Sequence, residues 1–300
     1  MTGLPPPNKK KTAKVREAAR KKRNKEAKVV QDEIVTAEEL IAEDIDNVVP
    51  PREELPERPN VVYATLWKGE GLPAYSNDLY DLKYVECLHD GIMRHTKTAR
   101  LHLILDDHYW KKACEHPALL GVTKSKFEGH GCGGWSNIME VFSPANRPKG
   151  NTRHVWMGLD TVLVGNCDWL FQWNTSPMGL PIDPINPARA CNAVMSYNEE
   201  GADIAWEAYE VAKAKNGMND FRLQGQPSEM QLLRFLCKRE RWRPLEIKPK
   251  QLLSYKSHVT KGAPWRGASV VYFHGVPKPH ELPLQDPIRK EWLGAKPIRN

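Results

Sequence analysis

Apolar and polar residues alternate after about residue 60 in patterns that predict strands and helices in turn. The run NVVYATLW follows a proline-rich breaker and predicts a buried first strand. Apolar residues then recur every three positions, which predicts a helix: Leu79, Leu82, Val85 and Leu88. The next run, ARLHLILDD, predicts a second strand that ends on two acids. Alternation of this kind predicts an α/β fold around a central sheet.

The second half of the chain continues this alternation. CNAVMSYN predicts a short strand, and GADIAWEAYEVAKAK and QPSEMQLLRFLCKRERW predict helices. In the second helix we expect four residues to face inward: Leu232, Leu233, Phe235 and Leu236. LLSYKSH and ASVVYFHGVPKPH predict the last apolar segments.

A glycine-rich stretch, EGHGCGGWSN, separates the two halves and predicts a loop. It lacks a GK[ST] sequence and does not follow the first strand, so it is neither a P-loop nor a dinucleotide fingerprint. The loop either faces a ligand or only connects its neighbours.

One acid, Asp160, lies between two apolar runs. The predicted strand His154–Met157 leads into Gly-Leu-Asp, and a second apolar run follows over residues 161–164. Ligands of open α/β sheets bind beyond the carboxyl ends of the strands, and an unpaired carboxylate in apolar surroundings is costly to bury. We therefore predict a metal or substrate role for Asp160, with an ordinary turn acid as the alternative.

Charge is concentrated at the N-terminus, although the net charge of the 300 residues is only +7. Residues 1–28 carry eleven lysines and arginines against two glutamates, whereas residues 29–60 carry ten acids against two arginines. Such a segment cannot bury enough apolar surface to fold alone. We predict a charged, partly disordered extension over 1–60 (basic over 9–28, acidic over 29–57, with a short capped helix near 37–47), a folded domain over 61–280 and a C-terminal tail over 281–300.

Other classes of protein are excluded by simple observations. No apolar run approaches the roughly 18–20 residues that cross a bilayer, and the N-terminus lacks the apolar region of a secretory signal, so we expect a cytoplasmic protein without a membrane span. The six cysteines form no CxxC pair and the histidines no HExxH motif, which argues against a zinc site.

Several segments together resemble the glycogenin-like (family 8-type) retaining branch of the GT-A glycosyltransferases and its phage and bacterial relatives. The resemblance runs from about residue 61 to 280 through YSNDLYDLKYV, GGWSNIMEVF, GLDTVLVGNCDWLF, CNAVM and FHGVPKPHE. It implies a single α/β domain of the GT-A type with a mixed, mostly parallel central sheet. It also implies a metal-dependent, hexosyltransferase-type enzyme that moves a sugar from a nucleotide-diphosphate sugar to an acceptor with retention of configuration, in the cytoplasm of a bacterial or phage-infected cell.

The resemblance also implies roles for individual residues. Asp160 and His274 would ligate Mn²⁺ or Mg²⁺, which neutralises the charge of the departing diphosphate. Lys278, with Gly275, would bind that diphosphate. Gly158 stands where the family carries the first acid of its DxD motif, and Tyr272 where it carries the terminal histidine.

The remaining predicted residues would contact the sugar and the base of the donor. Asn192 and Glu229 would line the sugar pocket as catalytic residues, with Glu229 in place of the family's acid. Tyr63 and Thr65, near the end of the first strand, would lie beside the nucleotide base.

Two alternatives stay open. The first is a phage-type DNA-modifying glycosyltransferase that acts on a hydroxylated base, with residues 9–28 contacting nucleic acid through phosphates. The second is a non-catalytic binding protein that keeps the fold, since Gly158 removes one acid.

Overall fold

The computed structural model describes residues 60–68, 79–128, 132–147, 153–245 and 251–294. The basic stretch 9–28, the acidic stretch 29–57 and the short helix near 37–47 lie outside these residues. The described strands are β1 (Asn60–Leu66), β2 (Ala99–Leu105), β3 (Thr123–Lys126), β4 (His154–Met157), β5 (Thr161–Leu163), β6 (Met178–Leu180), β7 (Val194–Tyr197), β8 (Arg222–Leu223), β9 (Gln226–Pro227), β10 (Arg243–Pro244), β11 (Leu252–Ser254) and β12 (Val270–Tyr272).

The α-helices within the described residues are α1 (Leu82–His95), α2 (Asp107–Cys114), α3 (Glu199–Asn216), α4 (Glu229–Arg239) and α5 (Pro287–Trp292). The 3₁₀ helices are Pro117–Leu119, Gly134–Phe142, Pro144–Asn146, Asp168–Gln172, Val259–Lys261 and Pro279–Glu281. In this part of the chain, no helix is both long and apolar enough to cross a membrane.

The central sheet has seven strands in the order β10-β6-β7-β4-β1-β2-β3. Strand β1 pairs in parallel with β2 and β4, β2 with β3, and β6 with β10, whereas β7 is antiparallel to β4 and β6. A second sheet has the strand order β11-β12-β5, in which β12 is parallel to β11 and antiparallel to β5. This confirms the predicted α/β fold with a mixed, mostly parallel sheet.

Strand β1 is buried on both faces, and its successive side chains pack alternately into two apolar clusters. Val62, Ala64 and Leu66 belong to one apolar cluster, and Val61 and Tyr63 belong to the other. Successive side chains of a strand point to opposite faces, so a strand covered on both sides is apolar throughout. The run NVVYATLW has this composition.

Side chains at the helix ends explain where two helices begin. The Asp81 carboxylate accepts from the backbone N–H of Lys83 and starts α1, and the Asn198 side chain accepts from Gly201 N–H and starts α3. Helix α3 ends at Gly217, whose φ of 62° lies in the left-handed region that glycine tolerates.

Helix α4 buries one stripe of leucines, namely Leu232, Leu233 and Leu236. The prediction for Phe235 was wrong: its side chain is 47% exposed and contacts Phe221, with the Arg239 guanidinium over its ring. A helix turns 100° per residue, so position 235 lies off the stripe that the three leucines share.

Two segments have more regular structure than the sequence predicted. The glycine-rich stretch continues into the 3₁₀ helix Gly134–Phe142, which is largely buried and packs against α3 and α4. The folded part also extends past the predicted end at residue 280, because Ile288 and Trp292 of α5 pack into the core.

Candidate active site

The turn between β4 and β5 holds Asp160. Gly158 N–H donates to the Ala193 carbonyl (3.1 Å), and Thr161 N–H donates back to the Gly158 carbonyl (2.9 Å). A Cβ at Gly158 would lie 3.1 Å from Asp160 Oδ1, so the glycine lets this carboxylate lie close to the backbone. Asp160 is only 9% exposed. Its predicted position just beyond the carboxyl end of a buried strand is confirmed.

Asp160 forms a cluster with Lys278 and Tyr80. The Lys278 ammonium donates to Asp160 Oδ2 and to the Tyr80 hydroxyl (2.9 Å), and that hydroxyl donates to the same Asp160 oxygen (2.8 Å). Burial and the nearby carboxylate raise the pKa of Tyr80 well above its usual value, so the hydroxyl keeps its proton. Lys278 and Asp160 are 6% and 9% exposed, so the ion pair is buried.

The backbone around Lys278 is fixed as well. Lys278 N–H donates to the Glu281 carboxylate (2.5 Å), which begins the 3₁₀ helix Pro279–Glu281. Gly275 adopts a φ of 67° in the exposed stretch that follows β12. The chain therefore arches from His274 to Lys278 and returns the ammonium to Asp160.

His274 has one bonded and one unpartnered ring nitrogen. Nδ1 lies 3.2 Å from the Ser254 hydroxyl, which accepts from Ser257 N–H (3.0 Å). The hydroxyl keeps a second lone pair and its own proton, so it can accept from or donate to Nδ1, and this contact is compatible with either neutral tautomer. Nε2 is buried and has no hydrogen-bond partner in the described structure. Burial lowers the pKa of His274, which favours the neutral ring.

A second polar group lies at the N-terminus of α4. Asn192 Nδ2 donates to Glu229 Oε1, while Glu229 Oε2 and the Ser228 hydroxyl are buried with no partner among the described residues. Glu229 is 4% exposed and Ser228 is 1% exposed. Burial raises the pKa of Glu229 to about 8, so the carboxyl is largely protonated at neutral pH.

The residues just before β7 link the Asp160 cluster to the Asn192–Glu229 pair. The Ala193 carbonyl, next to Asn192, accepts from the Gly158 N–H and from the Thr161 hydroxyl (3.4 Å). Thr161 in turn pairs with Tyr272 of β12, which leads to His274. The fold thus brings Asp160, Asn192, Glu229, His274 and Lys278 to one region.

Tyr63 and Thr65 are placed differently. Tyr63 is fully buried, its hydroxyl lies 3.1 Å from His154 Nδ1, and its ring packs against those of His154 and Tyr197. Thr65 is 4% exposed. The prediction that Tyr63 contacts the base does not agree with this burial, because a ligand would have to displace the core to reach the ring. The half-buried residue at this end of β1 is Trp67, which packs edge-on against Phe127.

Sequence reasoning missed Tyr80 and Ser228. Tyr80 precedes the N-cap of α1 and lies in no periodic pattern, and Ser228 is an N-cap residue whose side chain makes no capping bond. Their roles depend on tertiary contacts that no local signal reveals.

The residues present offer few ligands to a divalent metal ion. Asp160 Oδ2 already accepts from an ammonium and a hydroxyl, so a metal ion at this oxygen would have to displace the Lys278 ammonium. Gly158 supplies no ligand. Within the described residues, no three histidine, cysteine, aspartate or glutamate side chains lie together as a metal-binding group.

Comparison with known proteins shows similarity in fold but not in sequence. No family model and no curated protein matches this chain. The apo form of the glycosyltransferase GlyE from Streptococcus pneumoniae TIGR4 superimposes with a TM-score of 0.52 at 12% identity, over 78% of this chain and 59% of GlyE. This chain therefore spans less than two thirds of the length of GlyE.

The galactosyltransferase LgtC, in complex with donor and acceptor sugar analogues, superimposes with a TM-score of 0.51 at 9% identity, over 80% of this chain and 97% of LgtC. An active-site mutant of LgtC gives a TM-score of 0.51 at 10% identity, over 79% and 95% of the two chains. At such low identities the likeness concerns the fold alone. This chain has the fold of the GT-A glycosyltransferases.

Proposed function

We propose that this chain transfers a sugar from a nucleoside-diphosphate sugar to an acceptor. The observation that carries the proposal is the juxtaposition of two sets of polar groups beside the carboxyl end of β4. One set, Lys278 and His274, presents an ammonium and an unpartnered ring nitrogen, which suit a diphosphate. The other set, Asn192, Ser228 and Glu229, presents buried polar atoms suited to sugar hydroxyls.

The first set would bind the part of the donor that becomes the leaving group. In the transfer, the bond between sugar C1 and the β-phosphate oxygen breaks with its electron pair on that oxygen. The acceptor oxygen forms the new bond to C1 and loses its proton. Negative charge therefore grows on the diphosphate, and preorganised N–H donors stabilise it most where water is excluded. Lys278 supplies a charge-assisted donor, and His274 Nε2 supplies a neutral one in the tautomer that carries its proton there.

The second set would orient the sugar. Glu229 is protonated at neutral pH, so its unpartnered carboxyl oxygen would donate to or accept from a sugar hydroxyl. Asn192 holds the other oxygen of this carboxyl, and Ser228 adds a hydroxyl beside the N-terminus of α4. Unpartnered buried polar atoms are expensive, so a polar ligand here would satisfy several of them at once.

The two alternatives, a DNA-modifying transferase and a non-catalytic binding protein, gain no support from the described residues. The stretch 9–28 that would contact nucleic acid lies outside them.

A thermal-shift panel tests the proposal. UDP-, GDP-, ADP- and CDP-sugars are added to the wild-type protein and to Asn192→Ala. A matched control is Gln172→Ala, which changes an exposed residue of the 3₁₀ helix Asp168–Gln172. A donor at 100 times its Kd adds about 2.7 kcal/mol to the free energy of unfolding, which a melt detects. We expect one donor class to stabilise the wild type and the control but to stabilise Asn192→Ala less. No stabilisation by any donor would contradict the proposal.

A further inference from the structure

We propose that the Lys278 ammonium takes the place of a divalent cation at this site, so that the chain binds the diphosphate of its donor without a metal ion. This inference rests on the proposed function and names how that site recognises its substrate.

The first argument is the position of the ammonium. Lys278 Nζ lies directly on the Asp160 carboxylate, where the sequence predicted the metal, and it also contacts the Tyr80 hydroxyl. A cation that binds Asp160 Oδ2 would have to displace the ammonium and the hydroxyl that already donate to this oxygen. The positive charge next to Asp160 is therefore supplied by the chain itself.

The second argument is rigidity. Lys278 is 6% exposed, its ammonium is held by two partners, and its backbone N–H is held by Glu281. A lysine on the surface has a flexible four-carbon stem and must be ordered before it can bind a phosphate. This one is ordered before the ligand arrives, as an electrostatic site requires.

The third argument is the chemistry of the neighbours. Gly158, beside Asp160, has no side chain to ligate a metal. The Lys278 ammonium donates to phosphate oxygens and repels a metal ion. The buried, unpartnered Nε2 of His274 would donate to a phosphate oxygen in the neutral tautomer that carries its proton there.

Calorimetric titration with UDP, GDP, ADP and CDP tests this inference in the wild-type protein. Each nucleotide is titrated once with EDTA and once with Mn²⁺. We expect at least one of them to bind with the same Kd in both media. We also expect the protein to leave the electron paramagnetic resonance signal of free Mn²⁺ unchanged when no nucleotide is present. Binding in Mn²⁺ alone would overturn the inference and leave the proposed function standing. Absence of binding in both media would overturn the proposed function and this inference with it.

Variants of the lysine supply the second test. Lys278→Met removes the charge, whereas Lys261→Met removes an exposed lysine of the 3₁₀ helix Val259–Lys261 and serves as the matched control. Loss of a hydrogen bond from a charged group weakens binding by about 10- to 100-fold, which we expect for Lys278→Met and not for Lys261→Met. If Lys278→Met does not fold, the double variant Asp160→Asn/Lys278→Met leaves no unpaired buried charge and answers the same question. Wild-type affinity in a folded variant without Lys278 would overturn the inference.

Discussion

The Lys278 ammonium donates to the Asp160 carboxylate although 118 residues separate the two in sequence. The antiparallel pairing of β12 with β5 brings them together, since Thr161 follows Asp160 and pairs with Tyr272, and the chain then arches back to Lys278. The contact therefore depends on the second sheet.

The first prediction concerns the stability of the ion pair. Asp160→Asn should lower the free energy of unfolding by about 3–5 kcal/mol, because removing one partner leaves a buried charge uncompensated. The double variant Asp160→Asn/Lys278→Met should recover most of this loss, since neither residue is then charged. Denaturant unfolding measures both values. An Asp160→Asn variant as stable as the wild type would mean that the pair is open to solvent.

The second prediction concerns the Tyr80 hydroxyl. Tyr80→Phe keeps the ring but removes the group that bridges Lys278 and Asp160, so nucleoside diphosphate affinity should fall. Tyr255→Phe is the matched control, because its hydroxyl donates to Asp286 (2.8 Å) at the start of α5. Each variant should cost roughly 1–2 kcal/mol of stability. Equal loss of affinity in both variants would show that Tyr80 acts only through stability.

The third prediction concerns pH. Glu229 has a folded-state pKa of about 8 against a usual value of 4.5, so the folded state holds its proton where the unfolded state has lost it. The free energy of unfolding should therefore fall by a few kcal/mol as pH rises from about 4.5 to about 8, in the part that Glu229 contributes. Glu229→Gln removes this part, so its stability relative to the wild type should increase over the same interval. A constant difference between the two proteins would contradict the assigned protonation.

The fourth prediction concerns the start of α3. A Cβ at Gly201 would lie 2.4 Å from the Pro177 carbonyl oxygen, so Gly201→Ala forces the backbone apart. We expect it to lower the free energy of unfolding by about 1–3 kcal/mol. Gly121→Ala, with open space at that position, should be neutral or slightly stabilising. Similar thermal melts of the two variants would contradict this packing.

The central sheet could be predicted from sequence because its strands carry strong local signals. NVVYATLW is apolar on both faces, and Asp160 stands out because apolar residues surround it. The packing of α4 was predicted less well: Phe235 was expected to face inward with its leucine neighbours, whereas its position on the helix directs it outward.

The site could be predicted only in part. Resemblance indicated Asp160, His274 and Lys278, but the sequence does not show which partner Asp160 has. The partners of Asp160 are set by the pairing of β12 with β5, which places Lys278, and by the contact with Tyr80. No local sequence pattern links Tyr80 to Asp160. Tyr63 was assigned to the base because it lies near the end of the first strand, yet β1 is covered on both faces and this side chain points into one of the two cores.

The most direct measurement of the central claim is the release of nucleoside diphosphate from nucleotide-sugars with water as the acceptor, followed by chromatography. The panel of UDP-, GDP-, ADP- and CDP-sugars is incubated with the wild type, with Asn192→Ala and with the control Gly121→Ala. We predict slow turnover of one donor class by the wild type and the control, and turnover at least about tenfold slower by Asn192→Ala, since one oriented hydrogen bond is lost. Absence of turnover with every donor, or equal rates in all three proteins, would contradict the account.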